Sequence, residues 1–117
     1  MPARFDLVTI DCPQPDLAAA FWSAALVLHE TEREDGDRWI VLSDATGTRR
    51  LGLQRGPSRP GGTHLDVLCA VDEFDDEVAR LVSIGAALVA PARREPYGSI
   101  ANLVDPDDNA FDLCAYH

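Results

Sequence analysis

One pattern occurs twice in this chain, and few folds accommodate it. Phe5 to Asp11 (FDLVTID) alternates and is β-branched, which reads as a strand. Pro13 and Pro15 end it. Asp16 can cap the next helix, whose stretch DLAAAFWSAAL at 16–26 is dense in strong helix formers. Three more strands are expected at Val27–Arg33, Arg38–Ser43 and Arg50–Arg55, separated by the turns EDGD and DATGT. GPSRPGG at 56–62 is denser in Pro and Gly than any turn needs and marks a linker. The order then recurs. A strand runs from Thr63 to Val71, and a helix comes next in DEFDDEVARLVSIG, with acids in its first turn and Gly85 as its stop. Strands are expected at Ala86–Ala90, Ser99–Val104 and Ala110–Tyr116, with PARREPYG (91–98) a loop and DPDDN (105–109) a turn.

The repeat shows in residues as well as in order. TID at 9–11 aligns with HLD at 64–66, RWIVLSD at 38–44 with SIANLVD at 99–105, and LGLQ at 51–54 with FDLC at 111–114. The offsets are 55, 61 and 60 residues. A longer second helix and its flanks would supply that growth. The 117 residues thus read as a single α+β domain of two βαβββ modules, at about 4–55 and 63–117, joined by the linker.

Composition removes several function classes. Hydrophobic residues make up 46% of the chain, enough for a core, and no apolar run is long enough to span a membrane. A net charge of -10 would repel a phosphate backbone, so nucleic acid is not an expected partner. A cationic or neutral small molecule is easier to hold than an anion, although excess acid also serves solubility alone. The N-terminus, MPARFDLVTIDC, has no secretory pattern, and three scattered cysteines suit reduced thiols, so a cytoplasmic protein is expected. No CxxC pair exists to hold structural zinc. All ten basic residues are arginine, which points to GC-rich, bacterial coding.

Paired βαβββ modules in so short a chain resemble the vicinal oxygen chelate superfamily, which includes glyoxalase I, extradiol dioxygenases, fosfomycin-resistance enzymes and bleomycin-resistance proteins. PDLAAAFWSAAL resembles the family's first helix, HLDVLCAVDEFDDEVARLVSIGA the opening of its second module, and DPDDNAFDLC its closing DPxGNxFEL hairpin. The Phe-Trp pair and the HLD strand place the likeness nearest the glyoxalase-like subgroup. The resemblance implies two curved mixed sheets facing across a cleft, with the helices outside. The cleft forms within one chain or between two chains of a homodimer. Asp108 stands where the family has Gly, and Asp tolerates the left-handed backbone at modest cost.

In metal-using relatives, four ligand positions come from equivalent strands of the two modules. By that resemblance His64 falls on the third position and Asp112 on the fourth. The first falls on Thr9 by the repeat, or on Leu7 by spacing to the helix aromatics. The second falls on Gly52, with Gln54 the nearest oxygen donor. Two clear donors of four make a weak site, and a metal centre usually keeps three. The leading expectation is therefore a binder of a small, partly aromatic or cationic molecule, with no cofactor, in the manner of bleomycin-resistance proteins. Period two assigns it Trp39, Gln54, His64, Asp66, Asn102 and Asp112. Catalytic residues are not assigned. The alternative is a lyase, isomerase or dioxygenase dependent on Zn, Mn, Ni or Fe, with His64 and Asp112 as ligands and Asp11 or Asp66 as base. Asp11 and Asp66 occupy matching repeat positions in this alignment. Trp22 and Cys114 are expected in the core, His29 and His117 on the surface, and Tyr97 in a loop.

Overall fold

The computed structural model describes residues 5–61 and 64–117. The expected module start near Arg4, the last linker residue Gly62 and the expected strand start at Thr63 lie outside them. The chain divides into two compact units between Arg59 and Pro60, inside the expected linker. The first unit holds β1 (Val8–Cys12), α1 (Pro15–Leu26), β2 (His29–Glu34), β3 (Trp39–Ser43) and β4 (Arg49–Arg55). The second holds β5 (Leu65–Leu68), α2 (Phe74–Ser83), β6 (Ala87–Leu88), β7 (Arg93–Glu95), β8 (Gly98–Val104) and β9 (Ala110–Tyr116).

Each unit is a mixed sheet with one α-helix, as the order of elements implied, and in the second a 3-10 turn at Val71–Glu73 leads into α2. The first sheet runs β1-β4-β3-β2, the second β5-β9-β8-β6 with β7 also paired to β8. In both, the opening strand lies parallel to the last, and the other pairs are antiparallel. Pro15 sits at the start of α1, where a missing N–H is harmless, and Asp16 lies in the first turn rather than capping it. The α1 stripe of Ala18, Phe21, Trp22 and Ala25 is buried with the sheet rows Ile10/Leu53/Ile40 and Leu51/Leu42. Trp22 is 1% exposed, and burying one such large side chain contributes about 2 kcal/mol. The second core gathers Phe74 and Leu81 of α2 with Phe111, Leu113, Leu103 and Ala101 of the sheet. Cys12 and Cys114 are buried, whereas Cys69 is only half-buried.

The pairing register corrects the repeat. Trp39 pairs with Gln54 and Val41 with Gly52, as Ile100 pairs with Cys114 and Asn102 with Asp112. The alignments of the third and fourth strands of each module therefore hold. The first-strand alignment does not. Thr9 pairs with Gly52 and Asp66 with Asp112, so Thr9 corresponds to Asp66. Two residues back, Leu7 corresponds to His64, and Asp11 corresponds to Leu68 instead of Asp66. The second helix is not longer either: α2 has 10 residues against 12 in α1. The extra residues come after the helix. In the first unit one strand, β2, absorbs a single bulge between Glu30 and Glu32. In the second that edge is broken into β6 and β7. The expected loop at 91–98 thus contains a strand.

Candidate functional site: a polar row on the second sheet

Alternation along β5, β9 and β8 turns Leu65, Val67, Phe111, Leu113, Ala101 and Leu103 to the helix side. The opposite face is ordered in rows. Asp66, Asp112 and Asn102 are consecutive partners across three strands, and His64 enters just ahead of β5. His64 Nε2 lies 3.3 Å from Asp66 Oδ1 and 3.4 Å from Asp112 Oδ2. The other Asp112 oxygen accepts a hydrogen bond from Asn102 Nδ2 at 2.7 Å. Asn102 Oδ1 accepts in turn from Arg93 Nη1 at 2.5 Å, and Arg93 Nε donates to Glu95 at 3.1 Å. A guanidinium can only donate, so Arg93 fixes which end of the Asn102 amide faces the carboxylate.

The next row up the strands is apolar: Leu68, Cys114 and Ile100. Leu68, the last residue of β5, is 69% exposed. Beyond it, Tyr116 and Tyr97 pack with ring centroids 5.9 Å apart. Gly98 lies between them in sequence at φ 149°, where an added Cβ would strike the Ala115 carbonyl. A polar end, an apolar middle and an aromatic end thus succeed one another along one face.

The first sheet carries no such row. Its counterparts to Asp66, Asp112 and Asn102 are Thr9, Gly52 and Val41. A Cβ at Gly52 would fall inside the Trp39 indole, so the ring lies over the bare backbone. Trp39 is half-buried there and pairs with the exposed Gln54, which lies opposite Asp11. Asp11 Oδ2 faces Arg59 Nε at 3.3 Å.

Of the six residues expected to bind ligand, His64, Asp66, Asn102 and Asp112 converge on the second sheet, while Trp39 and Gln54 are neighbours on the first. Trp22 and Cys114 are core residues, His29 and His117 are exposed, and Tyr97 is half-exposed beside Tyr116. Sequence reasoning missed Arg93, read as loop, and missed Asp66 as a third metal donor. It also missed what covers Gly52, although a lone Gly inside a strand signals close approach by another group. His64, Asp66 and Asp112 place one donor atom each within 4.8 Å of one another.

The family model for the glyoxalase-like domain matches residues 7–114. No curated protein matches the chain. Among solved structures, a glyoxalase/bleomycin resistance protein/dioxygenase family enzyme from Burkholderia phytofirmans is similar at a TM-score of 0.82 and 18% identity, covering 98% of this chain and 100% of its own. Protein ATC0852 from Agrobacterium tumefaciens gives 0.83 and 18%, covering 99% of each chain. The fosfomycin resistance protein FosX from Listeria monocytogenes, solved as a mutant with Mn(II) and 1S,2S-dihydroxypropylphosphonic acid, gives 0.81 and 19%, covering 100% of this chain and 93% of its own. At these identities the likeness is one of fold.

Proposed function

Because the chain belongs to the glyoxalase-like domain family, we propose that it binds a small organic molecule through His64, Asp66, Asn102 and Asp112. The observation that carries this reading is the order of rows on the second sheet. A ligand with a hydrogen-bonding or cationic end and a flat apolar body matches it. The polar and aromatic rows lie two steps apart, each step about 7 Å along a strand. Two carboxylates and a net charge of -10 favour a cationic or neutral ligand over an anion. The Trp39–Gln54 pair offers a second aromatic and amide contact surface on its own sheet. The protein is proposed to act as a cytoplasmic homodimer, the dimer to be checked by light scattering. A thermal-shift screen and then calorimetry test the binding reading. His64→Ala and Asp66→Ala are each expected to weaken a hit at least ~10-fold, about 1.4 kcal/mol. A hit bound equally by both variants would remove these residues from the site.

A second reading, a divalent-metal-dependent lyase, isomerase or dioxygenase, is favoured by one observation. The donor set of His64, Asp66 and Asp112 fits an ion better than the two donors read from sequence. Metal–ligand bonds of about 2.1 Å put adjacent donors about 3 Å apart. The contacts of 3.3 and 3.4 Å around His64 are near that spacing. His64 would donate as neutral imidazole and the two carboxylates as anions, while Asn102 and Arg93 hold Asp112 in place. A bound ion would polarise oxygen atoms of an organic substrate. FosX, of the same fold, was solved with Mn(II).

A further inference from the structure

We infer that this chain's ion position belongs to the second unit alone, with Asp66 as the third protein donor beside His64 and Asp112. This rests on the metal-dependent reading above and sharpens it. Three observations point the same way. First, the donor atoms of these three side chains already converge, although two come from the parallel strand β5 and its entry and one from β9. Second, the corresponding positions of the first unit are Leu7, Thr9 and Gly52. Leucine carries no donor atom and glycine no side chain, and the indole of Trp39 occupies the space a side chain at 52 would need. Third, Asp112 spends one oxygen on Asn102 and turns the other toward His64, which suits a carboxylate binding through one oxygen. One imidazole with two carboxylates is an oxygen-rich set that suits a hard to borderline divalent cation such as Mn²⁺.

Manganese titration of the full-length, tag-free, metal-stripped protein tests this. The loss of the free Mn²⁺ electron paramagnetic resonance signal counts bound ions without any assay of activity. One ion per chain is expected. Asp66→Asn should weaken binding at least 10-fold, and His64→Gln and Asp112→Asn more. Asn102→Ala should weaken it several-fold as a positioning residue, with Asn102→Gln recovering part of the loss. Thr9→Ala, Asp11→Asn and Gln54→Ala should stay within two-fold of wild type. Circular dichroism checks that each variant is folded. Asp66 is isosteric with Asn and its side chain is 63% exposed, so this variant should fold. Should Asp66→Asn bind as wild type while His64→Gln and Asp112→Asn do not, the third donor lies elsewhere; this inference fails and the metal reading stands. Loss of binding in Thr9→Ala, Asp11→Asn or Gln54→Ala also overturns it. No binding by wild type at about 1 mM Mn²⁺, a free energy near -4 kcal/mol, ends both.

Discussion

The two units share a strand order, a helix on one face and a pairing register across their last strands, yet at equivalent positions only the second presents a hydrogen-bonded polar row. Where it has His64, Asp66, Asp112 and Asn102, the first has Leu7, Thr9, Gly52 and Val41. One indole accounts for much of the difference. The Trp39 ring lies against Gly52 in the space a side chain there would need, so the first unit has a packed face where the second has a hydrogen-bonded one. A repeated fold therefore fixes where side chains project, and single substitutions decide whether that place holds chemistry.

The largest effect expected on this comparison comes from Gly52→Ala. The new methyl group must displace the Trp39 ring, an overpacking cost of about 1–3 kcal/mol. Urea unfolding measures it. In a Trp39→Ala background the same change should cost little, because the two positions share one space and are coupled. Equal losses in both backgrounds would mean that the indole is not what Gly52 accommodates. Next in size is Asn102→Val, which gives the second unit the first unit's residue. Arg93 and Asp112 each lose a partner, for a loss of about 1–2 kcal/mol. The converse Val41→Asn would leave an amide with no such partners on the first sheet.

The repeat was legible in sequence to the level of element order and sheet face, and the register shows why it stopped there. RWIVLSD and LGLQ were matched to their true counterparts because alternating apolar residues anchor those strands. TID aligns with HLD through a shared Asp, two residues out of step with the pairing register. Side chains alternate with period two, so a two-residue slip keeps every residue on its proper face while changing its neighbours. The faces of Thr9, Asp11, His64 and Asp66 were therefore right, and the pairing of Asp66 with Asp112 was invisible. β7 was missed for another reason. Arg93-Arg94-Glu95 is polar and flanked by Pro91 and Pro96, which reads as a loop unless an edge strand is already known there.

The last two strands of each unit are joined by turns that repeat closely enough to compare residue by residue. Asp44 and Asp105 hold the same place, each bonding to the backbone N–H groups two and four residues on. At the third position the turns differ. The Thr46 hydroxyl donates to Asp44 at 2.6 Å, and this bond is the main cause holding that carboxyl near pKa 2, below its usual 3.8. Asp107 stands there in the second unit, and partial burial with repulsion from Asp105 and Asp108 raises its pKa. The signs are opposite. The stabilisation from Asp44 is complete above pH 3.8 and is lost as pH falls toward 2. The Asp107 carboxylate opposes folding once ionised, and protonation relieves this as pH falls through its raised value. Asp44→Asn should flatten the acid limb of a stability–pH curve, whereas Asp107→Thr should raise stability at neutral pH and steepen that limb. A curve unchanged by Asp44→Asn would show that the Thr46 bond does not persist in solution.

The smallest effect lies at the fourth position of the same two turns. Gly47 adopts φ 83° in the first unit, and Asp108 adopts φ 66° in the second. Left-handed backbone costs a residue with a Cβ about 1 kcal/mol, and Asp less than most because its side chain bonds locally. Asp108→Gly removes that cost and one repelling charge beside Asp107, but it frees the unfolded chain, which costs up to about 1 kcal/mol in return. The net gain is expected to stay below about 1 kcal/mol, read as a small rise in the urea midpoint. Gly47→Asp should move stability the opposite way, because it adds strain without relieving any repulsion. Equal losses from both changes would show that the Asp108 side chain stabilises its turn, and the two hairpins would then differ in kind and not only in charge.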